Sequence, residues 1–184
     1  MADPMTYLLV DGENIDWALG GILGHKPEPH QRPRWGRLVE AAEDEWGLPV
    51  RALFFMNATR GMPTSFVQAL MAMDYRPVPL SGDADEKVVD IAIQRTMEAI
   101  VNREGHVLLV SHDGDFAEDL SSLASDPDRR VGLMAFEELV SSSLRDIDRL
   151  EIFDLEHDVE AFEIDLPRVR VIPLAEFDPN RFLS

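Results

Sequence analysis

The stretch Val107-Leu-Leu-Val-Ser111-His-Asp113-Gly-Asp115-Phe116 constrains the fold more than any other part of the chain. Four consecutive apolar residues, β-branched at both ends, lead through a serine into two aspartates flanking a glycine. Such a run, bounded by Gly and Asp, predicts a strand buried on both faces. Asp113 and Asp115 then fall on the turn from strand to helix, where Gly114 allows a tight bend. The arrangement recurs near the start of the chain, where Tyr7-Leu-Leu-Val10 runs into Asp11-Gly12-Glu13-Asn14. Two strand ends carrying acids predict one site where they meet.

Elsewhere the apolar periodicity alternates between strand and helix. Thr6 to Val10 reads as the first strand, with Asn14 as N-cap of a helix from Ile15 to Leu23. Trp35 to Trp46 is helical, with Gly47 as its stop. Val50 to Met56 is a strand, and Thr64 or Ser65 caps a helix through Met73. Tyr75 to Leu80 carries Pro77 and Pro79, so it belongs at a sheet edge. Asp83 and Glu86 fit a capping box before the helix Lys87 to Val101. A helix from Phe116 to Ala124, a fifth strand from Arg130 to Ala135 and a helix from Glu137 to Leu144 complete the pattern.

Five such alternations predict an α/β fold: three αβα layers around a central parallel, doubly wound, five-stranded sheet. At 184 residues the chain is long enough for one ordinary domain. That domain is expected over residues 1–149. Residues 150–184 change character, with nine acids against three arginines and three prolines. They are expected to form an acidic C-terminal extension that packs on the domain or on a partner, either a second copy or another protein.

Composition narrows the chemistry. There is no cysteine, which removes disulfides, thiolate catalysis and cysteine-based zinc sites. No apolar run approaches the ~20 residues of a membrane span, and no basic-then-apolar leader opens the chain, so a cytoplasmic location is expected. A net charge of −18 argues against broad coating of nucleic acid. One local exception exists: from His25 to Arg37, Lys26, Arg32, Arg34 and Arg37 stand against a single acid, Glu28. This loop is the candidate positive track for a polyanion.

In an open doubly wound sheet, ligands bind at the carboxyl ends of the strands where the strand order reverses. With the first strand beside the strand ending at Ser111, Asp11 faces Asp113 and Asp115. Asp90, one turn into the long helix, completes the cluster if that helix points its start at the same rim. Like charges so close repel unless a cation is bound. An all-oxygen set with open positions suits Mg²⁺ or Mn²⁺ rather than zinc, and such ions serve phosphoryl chemistry. Lys87 can hold a phosphate or an acid. Ser111 and Asn14 can orient a carboxylate or a water.

Taken together, Leu-Val-Asp11-Gly-Glu-Asn14, Lys87-x-x-Asp90 and Ser111-x-Asp113-Gly-Asp115-Phe116 resemble the NYN domain, a branch of the PIN-like nucleases. The resemblance spans roughly residues 5 to 140. It implies a PIN/Rossmann-like fold and a metal-dependent endoribonuclease, with Asp11, Asp90, Asp113 and Asp115 as metal-binding acids and single-stranded or structured RNA as substrate. Val88 stands where the family commonly has glycine, and Thr96 where it often has a further aspartate.

Blander readings stand beside these. Asp113, Asp115 and Asn14 are also good cap residues, Lys87 is also an ordinary surface lysine, and the basic loop is also an ordinary solvated face. A Toprim-like site would use Glu13 with Asp113 and Asp115, but it leaves Asp11 and the Lys87/Asp90 pair without a role. A non-catalytic regulatory or interaction module of the same fold, keeping RNA or metal binding, is the alternative to an enzyme.

Overall fold

The computed structural model describes residues 3–169 and 171–183. Residues 1 and 2 of the expected domain, and 170 and 184 of the expected extension, lie outside them. The six strands are β1 (Thr6–Asp11), β2 (Val50–Asn57), β3 (Tyr75–Leu80), β4 (His106–Val110), β5 (Val131–Ala135) and β6 (Leu150–Asp154). All pair in parallel, in the order β3-β2-β1-β4-β5-β6. The order reverses between β1 and β4, whose residues run in register from Thr6 opposite His106 to Val10 opposite Val110.

The central strands show why this sheet forms. Leu8, Leu9 and Val10 of β1 and Val107 to Val110 of β4 have no solvent exposure. Strands covered on both faces can be apolar throughout, and each buried aliphatic side chain contributes about 1.5–3 kcal/mol. One face packs on α1 (Gly12–Leu23), α2 (Trp35–Trp46) and α3 (Thr64–Ala72), and the other on α4 (Val88–Ile100) and α5 (Ala117–Ala124). Each helix lies in a crossover between parallel strands. Gly47, at φ 64, ends α2 as expected, its N–H bonded to the Glu43 carbonyl. β3 is indeed an edge strand, pairing only with β2.

The sheet has six strands rather than five. The sixth, Leu-Glu-Ile-Phe-Asp, is short, half-buried along most of its length and charged at two of five positions. Its apolar signal is therefore weak, and only pairing with β5 makes it a strand. It lies in the stretch read as an extension. The residues after it continue into the core: Leu155, Val159, Ala161 and Leu166 are buried with the α1–α2 side of the sheet. The Arg168 guanidinium lies 4.9 Å over the Phe136 ring and pairs with Glu138 and Glu156. Beyond it, Val169, Val171, Leu174, Phe182 and Leu183 are exposed.

Several helix ends also differ. α1 starts at Gly12, capped by Asp11, whose Oδ1 accepts the Asn14 N–H at 3.4 Å, so Asn14 is not the cap. Asp83 and Glu86 do bond to each other, but they close a turn ahead of α4, which starts at Val88 after Lys87. α3 follows Pro63, with no side-chain cap. The expected helix from Glu137 to Leu144 is two pieces, a 3-10 turn Glu137–Leu139 and α6 (Ser142–Arg145). The break follows from Val140, whose backbone is extended.

Candidate functional site

The topology delivers the acids to one rim. Asp11 is the last residue of β1, opposite Phe55 of β2. Asp113 and Asp115 lie on the 3-10 turn that follows β4, and Asp90 lies in the first turn of α4. Asp11 is almost fully buried, at 3% exposure. Its Oδ2 accepts from the Ser111 hydroxyl at 3.0 Å, and the Ser111 Oγ in turn accepts the Asp113 N–H at 3.1 Å. Ser111 therefore ties the first strand end to the second acidic turn. Asp113 also caps its own turn, with Oδ1 accepting the Asp115 N–H at 2.9 Å, so the bland reading of this residue holds as well.

Electrostatics separates this rim from ordinary surface. The Asp11 carboxyl is pushed up to about 7, first by burial and then by the charges of Asp90 and Asp113, against the hydrogen bonds from Ser111 and Asn14. Asp90 is raised by burial and by Asp113, Asp115 and Glu13, with Lys87 opposing. Lys87 Nζ lies 3.8 Å from Asp90 Oδ2 and 3.9 Å from Asp115 Oδ2. The four predicted acids and Lys87 thus share one electrostatic neighbourhood.

Asn14 and Ser111 both bond to Asp11 directly, and the Asn14 side chain is held by a residue that sequence reasoning gave no role. The Asn14 Oδ1 accepts from the His112 backbone N–H at 2.7 Å and lies 3.0 Å from His112 Nδ1. The other ring nitrogen, Nε2, accepts the Phe136 N–H at 2.8 Å. With Nε2 accepting, Nδ1 carries the proton and donates to Asn14. The ring stacks on Phe136 at 5.5 Å, and burial lowers its pKa to about 4. A signal for this role was present: the alternation Leu108, Val110, His112 turns residue 112 toward the face occupied by α1.

The basic loop is engaged within the fold. Arg32 grips Asp16 through Nε and Nη2, the latter at 2.8 Å. Arg34 pairs with Glu163 at 2.6 Å, and Arg37 donates to the carbonyls of Glu160 and Phe162. Two of the four cations therefore hold the segment after β6. Lys26 lines a different cleft, with Trp17 and Leu139.

The donor set can be weighed against a divalent cation directly. Four carboxylates with no nitrogen or sulfur donor form a hard-oxygen set, and their mutual repulsion calls for positive charge. Lys87 supplies one such charge between Asp90 and Asp115. Among the described residues, no group of three or more acids or histidines is placed to hold a metal ion. The residues fit a hard cation in charge and donor type.

The sequence profile of the NYN domain matches residues 5–156. The chain belongs to the NYN family. Its membership brings a PIN-like, nuclease-type fold, in a family that generally uses divalent metals. A solved protein of unknown function from Vibrio parahaemolyticus RIMD 2210633 superposes with a TM-score of 0.66 at 19% identity, covering 86% of this chain and 98% of its own. That likeness concerns the fold alone. No curated protein gives a significant match.

This NYN domain ends its sequence match inside the segment after β6, consistent with six strands in one sheet. At the position where the family often has a further aspartate, Thr96 turns its hydroxyl to the Ala92 carbonyl within α4, at 2.7 Å. Glu98 has Asp119 of α5 as its acidic neighbour, and Asp119 is raised by burial and then by Glu98. No helix among the described residues is long and apolar enough to cross a membrane.

Proposed function

We propose that this NYN domain is a metal-dependent endoribonuclease that hydrolyses RNA phosphodiester bonds at the rim formed by Asp11, Asp90, Asp113 and Asp115, with Mg²⁺ or Mn²⁺. The observation that supports this most is Asp11. A carboxyl buried to 3% exposure, with acids rather than a paired base around it, is costly to the fold unless a cation or proton compensates. A bound divalent ion would supply charge that acidifies a water and screens the phosphate.

The chain's own groups divide the remaining work. Ser111 holds Asp11 in one orientation through its hydroxyl. His112 occupies the Asn14 Oδ1, which leaves the Asn14 Nδ2 as the donor for a phosphate oxygen or a water. Lys87, 70% exposed at its side chain, is the cation available to the scissile phosphate. Water adds to phosphorus, one ester P–O bond breaks, and the leaving oxygen takes a proton. The test is cleavage of several RNAs by pure protein with Mg²⁺ or Mn²⁺, wild type against Asp11→Asn. Cleavage lost in the variant supports the assignment, and equal cleavage overturns it.

A second reading, a non-catalytic module that binds RNA or metal, draws on the lack of three converging acids among the described residues. Its mark is divalent stabilisation of the fold without turnover on any RNA. The exposed apolar side chains beyond Arg168 suit a protein partner or a second copy for either reading.

A further inference from the structure

Beside the acidic rim, on the α1–α3 side of the sheet, lies a cleft of about 630 Å³ whose lining includes Gly12, Glu13, Arg32, Trp35, Phe54 and Phe66. Its volume is that of a small-molecule site. Phe54 forms the floor and is held by three edge-on rings: Trp35 at 4.9 Å, Phe66 at 5.2 Å and Tyr75 at 6.0 Å. The Tyr75 hydroxyl donates to the Trp35 carbonyl at 2.8 Å, so the aromatic wall is fixed from behind. A methyl group at Gly12 would collide with the Phe54 ring, so only glycine lets the start of α1 come this close.

Two features connect the cleft to the rim. Gly12 and Glu13 directly follow Asp11, and Glu13 is close enough to Asp90 to raise its pKa. Glu13 Oε1 accepts the Asn57 N–H at 3.1 Å, which leaves Oε2 for another donor. The charges lining the cleft also balance, Glu13 and Asp16 against Arg32 and Arg34. In a chain of net charge −18, this is a surface next to the acids that does not repel a polyanion. Arg32 uses Nε and Nη2 on Asp16, so Nη1 is left for a phosphate.

We infer that this cleft receives one unpaired base of the nucleic-acid strand whose phosphate lies at the acid rim, which makes the substrate single-stranded. The base stacks against the aromatic wall at Phe66, and Glu13 accepts from an exocyclic amine or ring N–H on its edge. Base-on-aromatic stacking is strong and tolerant of sequence, whereas a paired base cannot enter. This inference rests on the acid rim being a nucleic-acid site, as proposed above.

The test is fluorescence anisotropy in EDTA with a short labelled oligoadenylate and with the same strand annealed to its complement. Wild type, Phe66→Ala, Phe66→Leu and Asp11→Asn are compared. Phe66→Leu keeps most of the volume and guards against loss of folding, which thermal melting checks. The expected result is weaker single-strand binding by about tenfold in both Phe66 variants and poor duplex binding throughout, with an unchanged Mg²⁺-induced melting shift when the same variants are melted without EDTA. Equal single-strand binding by wild type and Phe66→Leu, or duplex binding as tight as single-strand binding, overturns the inference. Phe66-dependent binding with no cleavage under any divalent ion would remove the nuclease reading and leave the cleft standing. Cleavage with no dependence on Phe66 would do the reverse.

Discussion

Asn14 gives its one side-chain carbonyl to two donors of the same residue, the backbone N–H of His112 at 2.7 Å and the ring Nδ1 at 3.0 Å. Because the other ring nitrogen accepts from Phe136, this single imidazole joins the start of α1 to the ends of β4 and β5. It fixes which way the Asn14 amide points.

His112→Ala leaves the Asn14 carbonyl short of a donor and the buried Phe136 N–H without an acceptor. The expected loss is about 2–4 kcal/mol of folding stability, measured by urea denaturation. If cleavage is present in wild type, the variant should lose part of it through the Asn14 amide. Stability equal to wild type would rule out the bridge.

Asp11 and His112 should tilt the pH dependence of stability in opposite directions. Asp11 has a folded pKa of about 7 against 3.8 unfolded, so from about pH 4 to 7 the folded state holds the extra proton. Its contribution therefore falls as pH rises through that window. His112 has a folded pKa of about 4 against 6.5, so the unfolded state holds the extra proton and stability falls as pH drops through that window. Each effect is on the order of 3–4 kcal/mol at most. In EDTA, Asp11→Asn should show stability rising from pH 4 to 6.5, and His112→Ala should show it falling. Two variants with the same slope would contradict the assignment.

Lys87 can be removed at little structural cost. Its ammonium is mostly exposed and lies at the outer limit of an ion pair with Asp90 and Asp115, so Lys87→Ala should change stability by less than about 1 kcal/mol. Divalent binding, followed by the melting shift, should be retained or tightened, because a competing cation is gone. RNA cleavage should drop sharply. Full cleavage by the variant would take the lysine out of phosphate binding.

Arg34 and Arg37 have a structural role that must be separated from any contact with RNA. Arg34→Ala with Arg37→Ala should loosen the segment around residues 160–163 and expose it to limited proteolysis. Glu163→Gln removes the Arg34 charge partner while leaving the cation in place. If Arg34 also contacts RNA, the arginine variants should weaken binding and flatten its salt dependence while Glu163→Gln does not. Identical RNA affinity in all three proteins would confine these arginines to the fold.

The sheet is legible in sequence where burial is two-sided. Leu8 to Val10 and Val107 to Val110 read as strands because they are short, apolar and bounded by Gly and Asp, and acids placed directly after them mark a rim. Asp90 is legible through the Lys87-x-x-Asp90 motif of the family resemblance but not from its surroundings, because an aspartate on a helix face looks the same in water and beside Asp113. β6 escapes because its pairing with β5, not its own residues, makes it a strand. The arginines mislead for a related reason: local counting sees Lys26, Arg32, Arg34 and Arg37 as unopposed, while Asp16 and Glu163 answer two of them through tertiary contacts. The aromatic cleft stays hidden because Trp35, Phe54 and Phe66 lie on three separate elements, and each reads singly as core.

The hydrogen bond from Ser111 to Asp11 spans 100 positions of the chain. During synthesis Asp11 is made 100 residues ahead of its partner Ser111. Until then the first strand end lacks both its β4 neighbour and the hydroxyl that orients the Asp11 carboxylate. A chain that stops before β4 therefore carries Asp11, Asn14, Lys87 and Asp90 but neither Ser111 nor the second acidic turn. Whatever this rim does to a nucleic acid, it cannot do before the turn after β4 has been made.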